Sequence, residues 1–358
     1  MKYSNPSREE RPVAVIFGGE GCERDISRRS AETVISALRE MNIPLLPVYI
    51  DKSGLWYIVD GDLSLDKSAF IPTYPVRLSV SGFLSPEGII EVMGAIPALH
   101  GELGEDGVIQ GALRTAGIAY VGSDTAAGSV LMDKAYTKLL AEYMGIPTVP
   151  WFLFVGTEGE SYSCGERIAE SYSQAAALAG ELGYPLFVKP ARAGSSFGAG
   201  RADTEAELIS AIERACLYGE PRVIVERCLI SPLELECAFL DGERRVFTEA
   251  GGIDCRGFYS YDRKYCNTSS VQITERADIP ESISRQIKEY SARLCLISGM
   301  RDIGRVDFFL DGDKLYFNEA NSFPGMTDTS LYTGMLRKCG IDRSELFRTL
   351  LGRLGSRA

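Results

Sequence analysis

Histidine occurs once in this chain, at His100, and no Cys-x-x-Cys pair occurs at all. A zinc knuckle is therefore not indicated, and with no Gly-x-Ser-x-Gly elbow a lone histidine does not suggest a Ser-His-Asp triad. The nine cysteines are scattered and odd in number, which argues against a disulfide framework and reads as reduced thiols in a cytoplasm. Long apolar runs are missing too: none approaches the roughly 18 residues of a membrane-spanning helix, and the first residues are polar, so neither export nor membrane anchoring is expected. Basic clusters are likewise absent. With 38 Lys and Arg against 49 Asp and Glu, a net charge of -11 and a pI near 4.9, the chain offers no surface for nucleic acid. No internal repeat or low-complexity segment appears.

What remains is a 358-residue chain, 45% hydrophobic and 24% charged, enough for two or three globular domains. Pro12 to Phe17 is an apolar run entering Gly18-Gly19, as a buried parallel strand does. A helix capped by Ser27 should follow to about Met41, with Ala31, Val34, Ile35 and Leu38 on one stripe. Strands at 45–50, 89–99 and 118–121 and a helix at 108–116 complete a wound α/β domain ending near residue 125. Beyond it, helices are expected from Lys134 to about Met144, over 172–182, around Ile287 to Ile297, and over 344–354. Strands are expected at 150–155, 185–189, 223–226 and 235–240, and a loop of small residues, Pro190 to Gly198, follows Lys189.

The strongest chemical signal is Gly304 to Leu310, an Asp/Gly turn, and Leu315 to Asn321, read as two strands joined by a tight turn. Asp307, Glu319 and Asn321 then form an all-oxygen set suited to magnesium with nucleotide phosphates. Lys134 and Lys189, each at the edge of an ordered segment, are natural clamps for those phosphates, and the small-residue loop can lay backbone N–H groups over them. Glu226 and Glu234 can accept hydrogen bonds from an adenine amino group and a ribose. His100, in a glycine-rich loop after a strand, favours a site role over a core role.

Assembled in order, these motifs resemble the D-alanine:D-alanine ligase family of the ATP-grasp superfamily. The resemblance is carried by Phe17-Gly18-Gly19 with Glu23-Arg24-Asp25-Ile26-Ser27, Leu99-His100-Gly101 with Gly104-Glu105-Asp106-Gly107, Met132-Asp133-Lys134, and Lys189-Pro190 with Gly194-Ser195-Ser196. It continues through Phe258-Tyr259 with Tyr261, Lys264 and Tyr265, then Gly304-Arg305 with Asp307, and Asn318-Glu319 with Asn321, Pro324-Gly325, Thr327 and Ser330-Leu331. The family implies a three-domain ATP-grasp architecture behind an N-terminal wound α/β domain, here 1–125, 126–240 and 241–358. It implies ligation of two D-alanines through a D-alanyl phosphate, for peptidoglycan precursors, with ATP and Mg2+ (two ions, Mn2+ as a substitute) in a cytoplasmic homodimer.

By the same resemblance, Glu23 holds the ammonium of the first D-alanine and His100 and Glu105 position it, while Glu23, Ser195 and Tyr265 form a hydrogen-bonded set. Lys264 joins Lys134 and Lys189 at the phosphates, Arg305 and the Gly325 N–H stabilise an oxyanion, and Ser330 and Leu331 receive the second amino acid. A loop over 255–275 closes the site. Tyr265, where a histidine marks ester-forming relatives, implies an amine acceptor and disfavours D-lactate. D-serine stays open, since one hydroxyl is hard for a small pocket to reject. Asp328-Thr329 in place of Ser-His, Thr333 in place of proline, and Glu102 depart from the family pattern beside that acceptor. An extra carboxylate at Asp328 is expected either to repel the acceptor's carboxylate or to select a polar side chain. A nucleotide-binding protein without turnover is the remaining alternative, and it predicts a lost metal ligand or arginine, whereas all are present.

Overall fold

A computed structural model describes residues 10–60, 71–156, 167–218, 221–255 and 271–356. Three sheets divide them. The first is built on β1 (Val13–Gly18), entirely buried, which pairs in parallel with β2 (Leu45–Ile50). The chain continues through β3 (Trp56–Asp60), β4 (Ile71–Ser79), β5 (Gly82–Ser85), β6 (Gly88–Glu91) and β7 (Gly94–Pro97). Strand order is β6-β5-β4-β3-β2-β1-β7, with β7 parallel to β1 and the arm beyond β2 antiparallel. The 89–99 region is thus two strands rather than one, and residues 118–121 add only a single bridge, Ala95 to Tyr120, at the sheet's edge.

Helix α1 (Arg24–Glu40) packs Ala31, Val34, Ile35 and Leu38 on β1 as its stripe requires. Its boundary differs from expectation: Glu23 precedes the helix, and Ser27 lies inside it with its hydroxyl committed elsewhere. Ser27 Oγ accepts from the Gly18 N–H at 2.8 Å and donates to the Ala98 carbonyl at 2.7 Å, fastening the ends of β1 and β7 side by side. Gly18 is needed there, because its φ is +99° and a Cβ would sit 2.2 Å from the Ile50 oxygen. Both glycine-bearing loops therefore leave the sheet at the same edge, which is where ligands gather on wound sheets.

Helices α2 (Val108–Thr115), α3 (Thr125–Met132) and α4 (Lys134–Tyr143) lead to the second sheet. It comprises β8 (Trp151–Val155), β9 (Ile168–Ala169), β10 (Leu186–Pro190), β11 (Gly200–Ala202) and β12 (Arg222–Arg227), in the order β11-β10-β12-β8-β9. Helices α5 (Tyr172–Leu182) and α6 (Glu205–Cys216) cover one face and share a core with it.

The third sheet holds β13 (Leu233–Asp241), β14 (Arg245–Phe247), β15 (Gly251–Cys255), β16 (Val271–Thr274), β17 (Ile303–Asp311) and β18 (Lys314–Asn321). Its order is β16-β15-β13-β17-β18, with β14 on β13. Helices α7 (Glu281–Ser298), α8 (Leu331–Lys338) and α9 (Arg343–Ser356) complete the chain. The β17–β18 hairpin reproduces the expected pair of strands.

The first and third units share one core. Phe17, Val34 and Leu38 pack in the same cluster as Ile303, Phe323, Tyr332, Phe347 and Leu350. At this junction fully buried Asp302 accepts from the Gly122 N–H at 2.7 Å and from Arg353 at 3.1 Å. Glycine loops of the first sheet and the hairpin of the third are thereby held in fixed relation. Among the described residues, no helix is long and apolar enough to cross a membrane.

Candidate active site

In a pleated strand, residues two apart share a face and cross-strand partners stand beside them. Arg305 and Asp307 share a face of β17, with Asn321 and Glu319 as their partners on β18 and Glu236 opposite Asp307 on β13. Five polar side chains thus meet on one face. Arg305 donates to both oxygens of Asp307, at 2.7 Å each, and lies 3.2 Å from Glu236. Asn321 Nδ2 donates to Asp307 Oδ2 at 3.0 Å. Burial opposes the Arg305 charge, but Asp307 and Glu236 beside it outweigh burial and hold its pKa well above the ordinary value.

Asp133 caps α4 by accepting from the N–H groups of Ala135 and Tyr136, and this sets Lys134 on the helix's first turn. Lys134 Nζ donates to the Ala193 carbonyl at 2.7 Å and lies 3.2 Å from Glu319. Lys189, near the end of β10, reaches Asn318 Oδ1 at 2.9 Å and Glu226 at 2.7 Å. The small-residue loop that follows places Ser195 and Ser196 at positive φ, +50° and +63°. Ser195 Oγ donates to Glu23, closing a contact between the second unit and the first. Gly101 suits its place beside that carboxylate, since its φ is +68° and a Cβ there would push the Glu23 carboxylate aside.

Two adjoining cavities result. One, of about 280 Å³, is lined by Lys134, Lys189, Glu226 and Glu234 together with the small-residue loop. The other, of about 110 Å³, is lined by Glu23, His100, Glu105, Arg305, Asn321 and Gly325. Lys134, Ala193 to Ser195 and Glu319 line both. The larger has room for an extended ligand and the smaller suits a compact zwitterion.

The small cavity carries perturbed groups. Burial, reinforced by the Glu23 charge, pushes Glu105 up to about 8, against the Gly101 N–H that donates to it at 2.8 Å. Burial and the nearby Arg305 charge push His100 down to about 4, so the imidazole is neutral near pH 7. Its Nε2 is 2.7 Å from Ser30 Oγ. Because the folded pKa of Glu105 lies above its ordinary 4.5, the folded state binds more protons than the unfolded one between these values. Stability therefore falls as pH rises through that window. Glu105→Gln should flatten this loss, read as thermal midpoints of variant and parent diverging between pH 5 and pH 8; parallel curves would refute the shift.

Asp307, Glu319 and Asn321 fit a hard cation by donor chemistry, two carboxylates and an amide. Arg305 holds both Asp307 oxygens, and the Asn321 amide must turn to present its oxygen. Among the described residues no cluster of three or more His, Cys, Asp or Glu forms a metal site. The set suits a cation completed by ligand oxygens rather than a closed structural site.

Not every expected residue converges. Ser330 and Leu331 do not line the small cavity but a separate one that they share with Asp328 and Thr329, and Ser330 Oγ accepts from the Thr327 N–H at 3.1 Å. Asp328 is exposed and lies 3.5 Å from Arg343. Lys264, Tyr265 and residues 256–270 of the expected closing loop lie outside the described residues. Sequence reasoning missed Glu236, although the alternation Leu233-Glu234-Leu235-Glu236 puts two acids on one strand face. Asn318 stood in the Asn318-Glu319 motif without an assigned role, and Lys138 carried no signal.

Comparison with known proteins follows the same outline. Residues 12–123 match the family described as D-ala D-ala ligase N-terminus, and residues 140–352 match D-ala D-ala ligase C-terminus. The chain is similar to the D-alanine--D-alanine ligase of Caldicellulosiruptor bescii, 34% identical, covering 95% of this chain and 93% of the relative. Among solved structures it resembles D-alanyl-alanine synthetase A from Vibrio cholerae, with a TM-score of 0.82, 27% identity, and coverage of 97% and 99%. It also resembles the VanG D-Ala:D-Ser ligase from Enterococcus faecalis, with a TM-score of 0.81, 31% identity, and coverage of 96% and 99%.

Proposed function

This chain belongs to the D-alanine–D-alanine ligase family, and we propose that its two adjoining cavities carry out the family's reaction as follows. The enzyme joins two D-alanines at the expense of ATP, through a D-alanyl phosphate, for peptidoglycan precursors. A carboxylate is a poor electrophile, and phosphorylation makes it attackable by the second amine. The observation that carries the assignment of residues is the shared wall: Lys134, Ala193 to Ser195 and Glu319 face both a nucleotide-sized cavity and an amino-acid-sized one.

In the larger cavity, Glu226 accepts from the adenine amino group, Glu234 meets the ribose, and Lys189 and Lys134 face the phosphates; the family resemblance gives Lys264, outside the described residues, the same role. In the smaller, Glu23 and Glu105 receive the ammonium of the first D-alanine, whose charge favours the ionised form of Glu105. Neutral His100 positions the substrate without adding a cation. Arg305 and the Gly325 N–H face the carboxyl carbon, where their dipole and charge stabilise the tetrahedral oxyanion. Ser195 orients Glu23, with Tyr265 as the third member of that set, and Ser330 and Leu331 support the acceptor side. Asp307, Glu319 and Asn321 would hold Mg2+, in one or two ions or with Mn2+ in its place, which neutralises charge on the transferring phosphoryl group. A cytoplasmic homodimer completes the reading.

D-serine as acceptor is a second reading, favoured by the likeness to the VanG D-Ala:D-Ser ligase. Both are tested by incubating the protein with ATP, Mg2+ and D-alanine, with and without equimolar D-serine, following phosphate release and product mass. D-alanyl-D-alanine as the main product supports the first reading and a dominant mixed dipeptide the second. Absence of amino-acid-dependent turnover would sink both.

A further inference from the structure

Lys138 is a buried cation that the proposed reaction does not use. Its side chain on α4 is fully enclosed, 2.8 Å from Glu226 Oε2 and 5.9 Å from the centre of the Trp151 ring. At that distance the ammonium and the carboxylate oxygen form a buried ion pair. The other Glu226 oxygen is 2.7 Å from Lys189. Two ammonium groups thus flank one carboxylate at the wall of the larger cavity, and the Glu142 charge also acts on Lys138. Taking such charges out of water is costly, and their geometry has to offset that cost.

We propose that Lys138 is a positioning residue for the nucleotide site: it anchors one oxygen of Glu226, so that the charge of Lys189 stays available to polyphosphate. This rests on the assignment of Glu226 and Lys189 to ATP made above. Without Lys138, Glu226 and Lys189 form a self-sufficient neutral pair, with the lysine drawn toward the carboxylate and away from Asn318, its other partner at 2.9 Å. Burial alone pushes Glu226 up, but Lys138 and Lys189 hold it down to about 2, consistent with a carboxylate that serves both cations. The pKa of Lys138 itself is lowered, by burial first and by the Lys189 charge, against the Glu226 and Glu142 charges that raise it.

The test is a cycle of Lys138→Met, Glu226→Gln and the double variant in the full chain, with the ATP dissociation constant read by calorimetry and turnover read at saturating substrates. Lys138→Met should weaken ATP by about tenfold while leaving kcat within about threefold and the thermal midpoint no lower, since Glu226 keeps Lys189 as its partner. A lysine with only a structural role would instead lower the midpoint and leave the ATP constant unmoved. In the Glu226→Gln background the same change should cost less than about twofold, because there is no carboxylate left to anchor. Equal losses in both backgrounds would overturn the inference. If Glu226→Gln alone leaves the ATP constant unchanged, it is the assignment of Glu226 to the nucleotide that fails.

Discussion

Arg305→Ala lowers kcat by about 100-fold or more, the cost of removing one donor to a developing oxyanion. The expectation rests on where β17 puts the side chain. Arg305 borders the small cavity with Gly325, and its charge is fixed there by Asp307 and Glu236. An arginine that served only to bridge these two acids would give a different pattern, with a lowered melting temperature and nearly unchanged turnover below it. Arg305→Lys separates the roles further, because it retains the charge but loses the two-pronged grip on Asp307. Steady-state rates at saturating ATP and D-alanine, measured beside thermal midpoints for both variants, check the prediction. A kcat for Arg305→Ala within tenfold of the parent would remove Arg305 from the reacting centre.

Asp302→Ala is the substitution expected to cost most in stability, about 3–5 kcal/mol, the range found when one partner of a buried ion pair is removed. Its carboxylate takes the Gly122 N–H from the first unit and Arg353 from α9, so alanine removes the side-chain acceptor that ties these two elements together. Arg353 retains Asp241 at 3.0 Å, which places the loss within rather than above that range. The φ of +64° at Asp302 adds a second reason, since alanine is less tolerant of the left-handed region than aspartate. Urea unfolding of parent and variant measures the difference. A change below about 1 kcal/mol would mean that the apolar core shared by the first and third units carries their docking unaided.

Much of this site was legible before any coordinates. The β17–β18 hairpin announces itself by apolar runs on both sides of Asp311-Gly312-Asp313, and period-2 geometry with cross-strand pairing then puts Arg305, Asp307, Glu319 and Asn321 on one face. The stripe of α1 and the all-buried β1 were equally clear, because burial on a single stripe or on both faces leaves a simple pattern. The antiparallel arm of the first sheet was not. Pro72 and Pro75 lie within β4, where proline argues against a strand, and the ladder with β3 shifts register between Ile58 and Val59. Ser27 misled for a related reason: a serine before an apolar stripe looks like a cap, but its hydroxyl bridges two strand ends that only the tertiary fold brings together. Lys138 shows the same limit. Nothing local distinguishes a lysine in a helix that will be sealed beneath a cavity from one that will face water.

The central claim is that a carboxylate is activated by phosphorylation in the space shared by the two cavities. Its most direct test uses D-alanine labelled with the heavy oxygen isotope in its carboxyl group, incubated with the enzyme, ATP and Mg2+. The carboxylate oxygen that attacks the terminal phosphorus becomes the bridge of the acyl phosphate and leaves with phosphorus when the second amine attacks. Inorganic phosphate should therefore carry one labelled oxygen for each dipeptide formed. Unlabelled phosphate, or label recovered in adenosine monophosphate, would contradict the account.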